Sequence, residues 1–142
     1  MTTEQALIAS QGAAVRPSDR ERHRRTYRRA FIPLRTPNLV VEHHLAGATF
    51  QAYLLFDAET RKLTCVDLIP KPGVPLTGAL RVSLTETLGQ PSQSRREQLP
   101  GLEWTVTTWI TDHDTIVLQQ GGLGAKLQYC ERGVITQSAQ GE

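Results

Sequence analysis

The sequence predicts an α+β fold: an antiparallel sheet of about six strands with helices packed on one face. Three observations lead to this prediction. Apolar and polar residues alternate in six short segments, as they do in half-buried strands. Other stretches carry helix start and stop signals, and segments rich in proline and glycine separate the two kinds of pattern.

The chain has 142 residues, which is the length of one domain. We expect a single domain over residues 1–135, with an arginine-rich segment at 16–36 inside it and a disordered polar tail over 136–142. Residues 1–36 hold eight arginines and three acidic residues, a net charge of +5, whereas the chain as a whole carries only +2. The basic character therefore belongs to one segment.

Two helical segments open the chain. The first is capped by Thr2 or Thr3, whose hydroxyl can accept a hydrogen bond from a free amide of the first turn, and it stops at Gly12. The second begins at Ser18, and its body, Arg20–Phe31, has many arginines and few apolar residues. We expect it to be either a poorly buried helix or a partly disordered arm.

Three strands follow. Their side chains alternate with a period of two, and the turn Asp57–Thr60 joins the second strand to the third. The predicted strands lie at Leu39–His44, Phe50–Phe56 and Leu63–Leu68.

The second half repeats this order. Thr77 caps a helix with a stripe of leucines, Gly89 and Pro91 stop it, and the polar stretch Ser92–Pro100 is predicted to be a loop. The leucines of the stripe are Leu76, Leu80, Leu84 and Leu88. The three closing strands are Leu102–Ile110, Thr115–Gln119 and Lys126–Glu131. The order indicates an internal repeat of two α-βββ units.

Several short motifs carry a family resemblance. These motifs recur in one class of small proteins. Met1–Ala6 matches the start of the helix in that class, Phe50–Asp57 with Lys62-Leu63 matches the hairpin, and Leu88–Pro91 matches the Gly-x-Pro end of a helix. Trp109, together with 115–118 and 127–129, matches the closing strands of that class. These residues resemble small bacterial proteins built from an α-then-β unit. The SmpA/BamE outer-membrane assembly lipoproteins have one such unit, and the β-lactamase inhibitor protein has two. The resemblance implies a scaffold that binds other proteins and does no chemistry.

The two cysteines, Cys65 and Cys130, are too few for a metal site. Buried free thiols of a cytoplasmic protein are the favoured interpretation, and a single disulfide of an exported protein is the alternative. Met1–Gly12 lacks the pattern of a signal peptide. We therefore expect a cytoplasmic protein as the sequence is written, or a periplasmic one if the true start lies upstream.

The strongest local signal is a cluster of seven arginines within fourteen residues. Such a cluster attracts an acidic protein face, nucleic acid or anionic lipid, although a solvated charged face without a partner remains the simpler interpretation. Only Tyr27 and Phe31 are interleaved with it, so base stacking has little support. The arginines are Arg16, Arg20, Arg22, Arg24, Arg25, Arg28 and Arg29.

Aromatic residues provide the other candidate contact. Trp104 and Trp109 are five residues apart, so on a regular strand they face opposite sides of the sheet. At least one of them should lie on the face away from the helices, where it would join Tyr53 in an exposed aromatic patch of the kind that marks protein interfaces.

Catalytic interpretations are weak. The neighbouring residues His43 and His44 point to opposite faces and cannot chelate one ion together. Asp112-His113-Asp114 has the composition of a turn, and the glycine-rich stretch 120–124 lacks the Lys-Ser/Thr of a phosphate loop. A deep pocket that collects His44, Asp112, His113 and Asp114 would support an enzymatic function after all. We expect no catalytic residues, no metal and no cofactor.

The sequence therefore predicts a non-enzymatic protein-binding module of the inhibitor, immunity or assembly-accessory type. Its partner would contact the open sheet face and hairpin loops. The predicted partner-binding residues are Tyr53, Trp104, Trp109, Arg20, Arg24, Arg25, Arg28 and Arg29. The alternative is a nucleic-acid-binding accessory protein acting through the segment 16–29. No bilayer-spanning segment is predicted, because no apolar run approaches the ~20 residues that a span needs.

Overall fold

A computed structural model describes residues 1–45, 47–71, 79–121 and 124–133. The described residues form three helices and eight strands. The helices are α1 (Thr3–Ala9), α2 (Asp19–Arg25) and α3 (Ala79–Leu88). The strands are β1 (Tyr27–Arg29), β2 (Ile32–Leu45), β3 (Ala48–Asp57), β4 (Leu63–Pro70), β5 (Gln93–Leu99), β6 (Leu102–Ile110), β7 (Asp114–Gly121) and β8 (Gly124–Glu131).

The strands form one antiparallel sheet in the order β1-β2-β3-β4-β8-β7-β6-β5. Strands β1–β4 and β5–β8 are each connected as a meander of four consecutive strands. The two meanders meet where β4 pairs with β8, so the last strand of each half lies at the centre of the sheet.

The predicted six-strand α+β fold is wrong, because the sheet has eight strands and dominates the structure. The two additional strands are its edges, β1 and β5. β5 occupies the stretch Ser92–Pro100, predicted to be a loop, and its residues are mostly exposed and polar. An edge strand that is exposed to solvent on both faces has no alternation of apolar and polar residues. Its sequence therefore does not distinguish it from a loop.

The sequence does not predict the other edge strand, β1, for a different reason. The predicted helical body Arg20–Phe31 ends at Arg25, and the chain then turns into β1 and the start of β2. Pro33 and Pro37 lie inside β2, where proline is tolerated near a sheet edge and at a bulge. The register of β2 against β3 shifts between Pro37 and Leu39.

The sheet buries apolar residues on both faces, and its two larger clusters lie on one of them. Alternate residues of β3, namely Phe50, Ala52 and Phe56, point to this face. Helix α3 contributes Leu80 and Leu84 to the larger cluster, and α1 contributes Ala6 to a smaller cluster around Leu39 and Phe56. Helices α1 and α3 therefore cover the same face, which we call the first face.

Helix α2 lies on the opposite face, which we call the second face. Its Glu21 and Arg25 contact Tyr53, and the side chain of Tyr53 alternates with those of Phe50 and Ala52 along β3. The prediction that all helices pack on one face is therefore wrong. The reason is that α2 has no apolar stripe: none of its residues is buried, and polar side chains hold it to the sheet.

A disulfide joins Cys65 and Cys130. The two residues lie directly opposite each other on β4 and β8, and both are buried on the second face. The favoured interpretation of two free thiols is therefore wrong. Spacing along the sequence could not show it, because 65 residues separate the cysteines and only the pairing of β4 with β8 brings them together.

Local signals at the helix ends are reliable. Thr2 caps α1 by accepting from the Gln5 amide at 3.3 Å, and the Gln5 side chain accepts from the Thr2 amide in return. Gly89 follows α3 with φ +88°, a conformation that favours glycine. The predicted cap Thr77, the first leucine of the stripe (Leu76) and the tail 136–142 lie outside the described residues.

Candidate functional site

The arginine-rich segment contains a short capped helix. The Ser18 hydroxyl accepts from the Glu21 amide at 3.2 Å, and Asp19 and Glu21 place negative charge in the first turn. All four residues of the last turn, 22–25, are basic. These signals complement the helix dipole, so a helix forms although nothing in it is buried.

Three side chains fasten α2 to the sheet. The Glu21 carboxylate accepts from Arg25 Nε at 2.8 Å, and the Arg25 guanidinium lies 4.5 Å from the centre of the Tyr53 ring. The Tyr53 hydroxyl lies 3.3 Å from Glu21 Oε2 and 2.8 Å from Gln51 Oε1. The hydrogen bond from Arg25 lowers the pKa of Glu21, against a smaller opposing effect of burial. Arg25 and Tyr53 form a stacked pair that fixes the position of the helix.

The bulge in β2 adds a second attachment. Asn38 Oδ1 accepts from Arg22 Nε at 3.3 Å, and Asn38 Nδ2 donates to Thr3 Oγ1 at 3.1 Å. The extra residue of the bulge thus contacts both α2 and α1.

Tyr27, which follows α2 in the chain, belongs to a buried polar cluster on the second face. Its hydroxyl donates to Asp67 Oδ2 at 3.0 Å and accepts from Gln128 Nε2 at 2.7 Å and from Lys126 Nζ. Gln128 Nε2 also lies 2.6 Å from Asp67 Oδ1, and Lys126 Nζ lies 3.4 Å from Asp67 Oδ2. Asp67 is 3% exposed and Gln128 1% exposed. Burial of a carboxylate is tolerated here because hydrogen-bond donors and a cation surround it.

The electrostatics of this cluster favour a neutral tyrosine. Burial raises the pKa of Tyr27, and the negative charge of Asp67 raises it further. The Arg35 guanidinium lies 4.9 Å from the centre of the Tyr27 ring. Burial lowers the pKa of Arg35, while Tyr27 and Asp67 oppose that effect. The phenol is therefore held as a hydrogen-bond donor to Asp67.

The structure divides the predicted arginines into two groups. Arg25 is half-buried against Tyr53 and serves to position the helix. The other four predicted partner-binding arginines present their side chains to solvent on α2, β1 and the edge of the sheet. These are Arg20, Arg24, Arg28 and Arg29.

The predicted aromatic patch does not form as expected. Tyr53 lies on the second face, but it is buried beneath α2. Trp109 is 1% exposed in the core of the first face, where its Nε1 donates to the Gly89 carbonyl at 3.1 Å. Trp104 does point to the second face and is half-buried there, on the same side of β6 as the exposed Ile110.

Sequence reasoning missed the buried polar cluster and an exposed apolar tip. Asp67 and Gln128 occupy inward positions of apolar strands, and a polar residue at such a position is a signal that could have indicated the cluster. Their partnership with Tyr27 could not be predicted, because it depends on the pairing of β4 with β8. Phe31 and Ile32, at the turn between β1 and β2, are 95% and 66% exposed.

The histidine candidates have turn and surface roles. The amides of His113 and Asp114 donate to Thr111 Oγ1 at 3.4 and 3.0 Å, which is the turn chemistry that the sequence predicted. His44 contacts Thr49 at 3.1 Å and lies 3.5 Å from Glu42 on the exposed end of β2. Within the described residues, no group of three or more His, Cys, Asp or Glu side chains is placed to hold a metal ion.

A cleft of about 720 Å³ opens between the start of α1, the segment 16–22 and the β3–β4 turn. Three arginines and three carboxylates line it, so their formal charges cancel. The charged lining residues are Arg16, Arg22, Arg61, Glu4, Asp19 and Asp57.

Comparison with known proteins does not assign a family. A scan against protein-family models, a search of curated proteins and a search of solved structures each found no match to this chain. The resemblance to the SmpA/BamE and β-lactamase-inhibitor class therefore stays a prediction. None of the described helices is long and apolar enough to cross a membrane.

Proposed function

We propose that this chain is a non-enzymatic protein-binding module whose exposed arginines attract an acidic partner. The observation that carries the proposal is the attachment of α2: Arg25, Glu21 and Tyr53 hold the helix on the sheet, so its remaining arginines face solvent from a fixed position. Fixed cations bind a carboxylate surface better than mobile ones, because less side-chain and backbone freedom is lost on association.

The apolar contact of this interface is assigned to the second face of β6. Trp104 and Ile110 lie on that face and are accessible, and tryptophan is a common anchor of protein interfaces. Gly121 lies beside Trp104 on β7, where a Cβ would stand 3.0 Å from the Cβ of Trp104. A larger residue at 121 would push Trp104 out of place, so glycine preserves this surface.

The test begins with capture of the protein and its associated molecules from host lysate, with and without nuclease. The captured protein is then purified, and its affinity is measured for the parent chain and for Arg20→Glu. Arg81→Glu, which makes the same charge change at an exposed residue of α3, is the matched control. We expect Arg20→Glu to slow association and weaken binding about tenfold, with a smaller effect of Arg81→Glu. Equal effects of the two variants would contradict the assigned surface.

One observation favours nucleic acid as the second candidate. From Arg22 to Val41 the chain has no acidic residue, and Arg22, Arg24, Arg28 and Arg29 in this stretch are exposed. Recovery of nucleic acid alone, lost at moderate salt, would support this alternative and remove the protein-binding proposal.

The disulfide supports a proposal about the compartment. Buried disulfides such as Cys65–Cys130 are typical of proteins that fold under oxidising conditions. We therefore propose that the protein acts in an oxidising compartment. Mass spectrometry of the protein isolated from its host under alkylating conditions tests this assignment, because a cytoplasmic protein would yield two alkylated thiols.

A further inference from the structure

The turn between β1 and β2 exposes a compact apolar tip. β1 is an edge strand of the sheet, and Arg29 pairs with Ile32 across a two-residue turn. Phe31, in that turn, is 95% exposed, and Ile32 is 66% exposed. Leu34 is also partly exposed on the strand behind them. Exposure decreases from the tip toward the body of the sheet, so the apolar surface protrudes and does not form a groove.

Cations precede this tip along the chain. Arg28 and Arg29 precede it on β1 and are exposed, and Arg22 and Arg24 are exposed on the helix just before. No acidic residue occurs between Arg22 and Val41. Arg28 donates to the His23 carbonyl at 3.2 Å, which ties the hairpin to the end of α2. The apolar tip and its cations therefore belong to one connected surface.

We propose that this hairpin inserts Phe31 and Ile32 into the headgroup region of an anionic phospholipid membrane, with Arg28 and Arg29 bound to lipid phosphates. Apolar side chains beside arginine are the composition of interfacial membrane anchors. A protruding tip suits a lipid surface because lipid adapts to it, whereas a protein partner would need a complementary pocket. The charge complementarity requires lipids with net negative charge.

This inference shares the exposed arginines of α2 and β1 with the protein-binding proposal, but it assigns a different apolar contact. The acidic partner is assigned to α2 and the second face of β6, whereas the membrane contact is assigned to the β1–β2 turn. If the parent chain keeps a protein partner but does not bind anionic vesicles, the membrane proposal is removed and the protein-binding proposal stands. Vesicle binding without any protein partner has the reverse meaning.

The experiment uses the full disulfide-bonded chain and co-sedimentation with lipid vesicles. Vesicles of phosphatidylcholine alone are compared with vesicles in which part of it is replaced by phosphatidylglycerol. The variants are Phe31→Ser, the double change of Arg28 and Arg29 to glutamine, and Val82→Ser as the control. Val82 is an apolar residue of α3, 58% exposed and remote in sequence from the hairpin.

We expect binding to the anionic vesicles, a loss of about tenfold or more for Phe31→Ser, and no change for Val82→Ser. Each lost arginine should reduce anionic-vesicle binding about fivefold at low salt. A Phe31→Trp variant should gain an emission component that brominated lipids quench, which shows insertion directly. No binding to anionic vesicles, or equal binding of the parent chain and Phe31→Ser, overturns the proposal. Loss of a captured protein partner in Phe31→Ser without vesicle binding also overturns it and assigns the tip to a protein pocket.

Discussion

The Tyr27 hydroxyl donates a hydrogen bond to Asp67 across 40 residues of sequence, with the oxygens 3.0 Å apart. Tyr27 stands at the junction of α2 and β1, and Asp67 is buried near the centre of the sheet. This contact connects the exposed arginines to a buried carboxylate of the second face. It explains why a segment without an apolar stripe keeps a defined position.

Removing that hydroxyl should loosen the arginine-rich segment. Tyr27→Phe takes a donor from the buried Asp67 carboxylate and an acceptor from Gln128 and Lys126. We expect the free energy of unfolding to fall by about 1–3 kcal/mol. Urea denaturation measures the change, and hydrogen exchange should show faster exchange in α2. Tyr129→Phe, at another half-buried tyrosine, is the control. Unchanged exchange in α2 would show that Tyr27 does not hold the helix.

Stability at alkaline pH should report on the same residue. The pKa of Tyr27 is raised in the folded state, mainly by burial, so the folded protein keeps a proton that the unfolded chain releases near pH ~10. The free energy of unfolding therefore decreases as pH rises above about 10. Tyr27→Phe should show a shallower decrease. Because Tyr129 is present in both proteins, the difference between the two curves isolates Tyr27. Parallel curves would refute this role.

The disulfide should make a large contribution to stability. Cys65–Cys130 closes a loop with a sequence separation of 65, which on the chain-entropy model corresponds to about 4 kcal/mol. Denaturation of the oxidised protein is compared with that of the double variant Cys65→Ser, Cys130→Ser. Because the bond links β4 to β8, reduction should weaken the junction of the two meanders first. A double variant as stable as the parent chain would contradict the prediction.

The two tryptophans should respond differently to substitution. Trp109 fills the core of the first face, so Trp109→Ala should cost about 3–5 kcal/mol. Trp104 is half-buried at the surface, and Trp104→Ala should cost about 1 kcal/mol. Iodide should quench the emission of Trp104 in a Trp109→Phe background and hardly quench Trp109 in a Trp104→Phe background. Equal quenching would contradict the opposite placement of the two rings.

Features that depend on neighbouring residues can be predicted from the sequence. The capping box at Thr2, the glycine after α3 and the period-two alternation of β3 each involve residues close together in the chain. The opposite facing of Trp104 and Trp109 is also a consequence of strand geometry alone. The concentration of arginines in one segment follows directly from the order of the residues.

Only the tertiary structure decided what depends on distant pairing. The edge strands β1 and β5 are polar, so the sequence pattern does not predict them. Their formation depends on hydrogen bonds to a neighbouring strand and not on an apolar pattern. The disulfide exists because β4 and β8 are adjacent, and Tyr53 is buried because α2 crosses to the second face. The sequence by itself determined the elements with apolar faces and the location of the charge. Long-range strand pairing decided which polar groups meet, because a hydrogen bond or a disulfide depends on distance in space and not on separation along the chain.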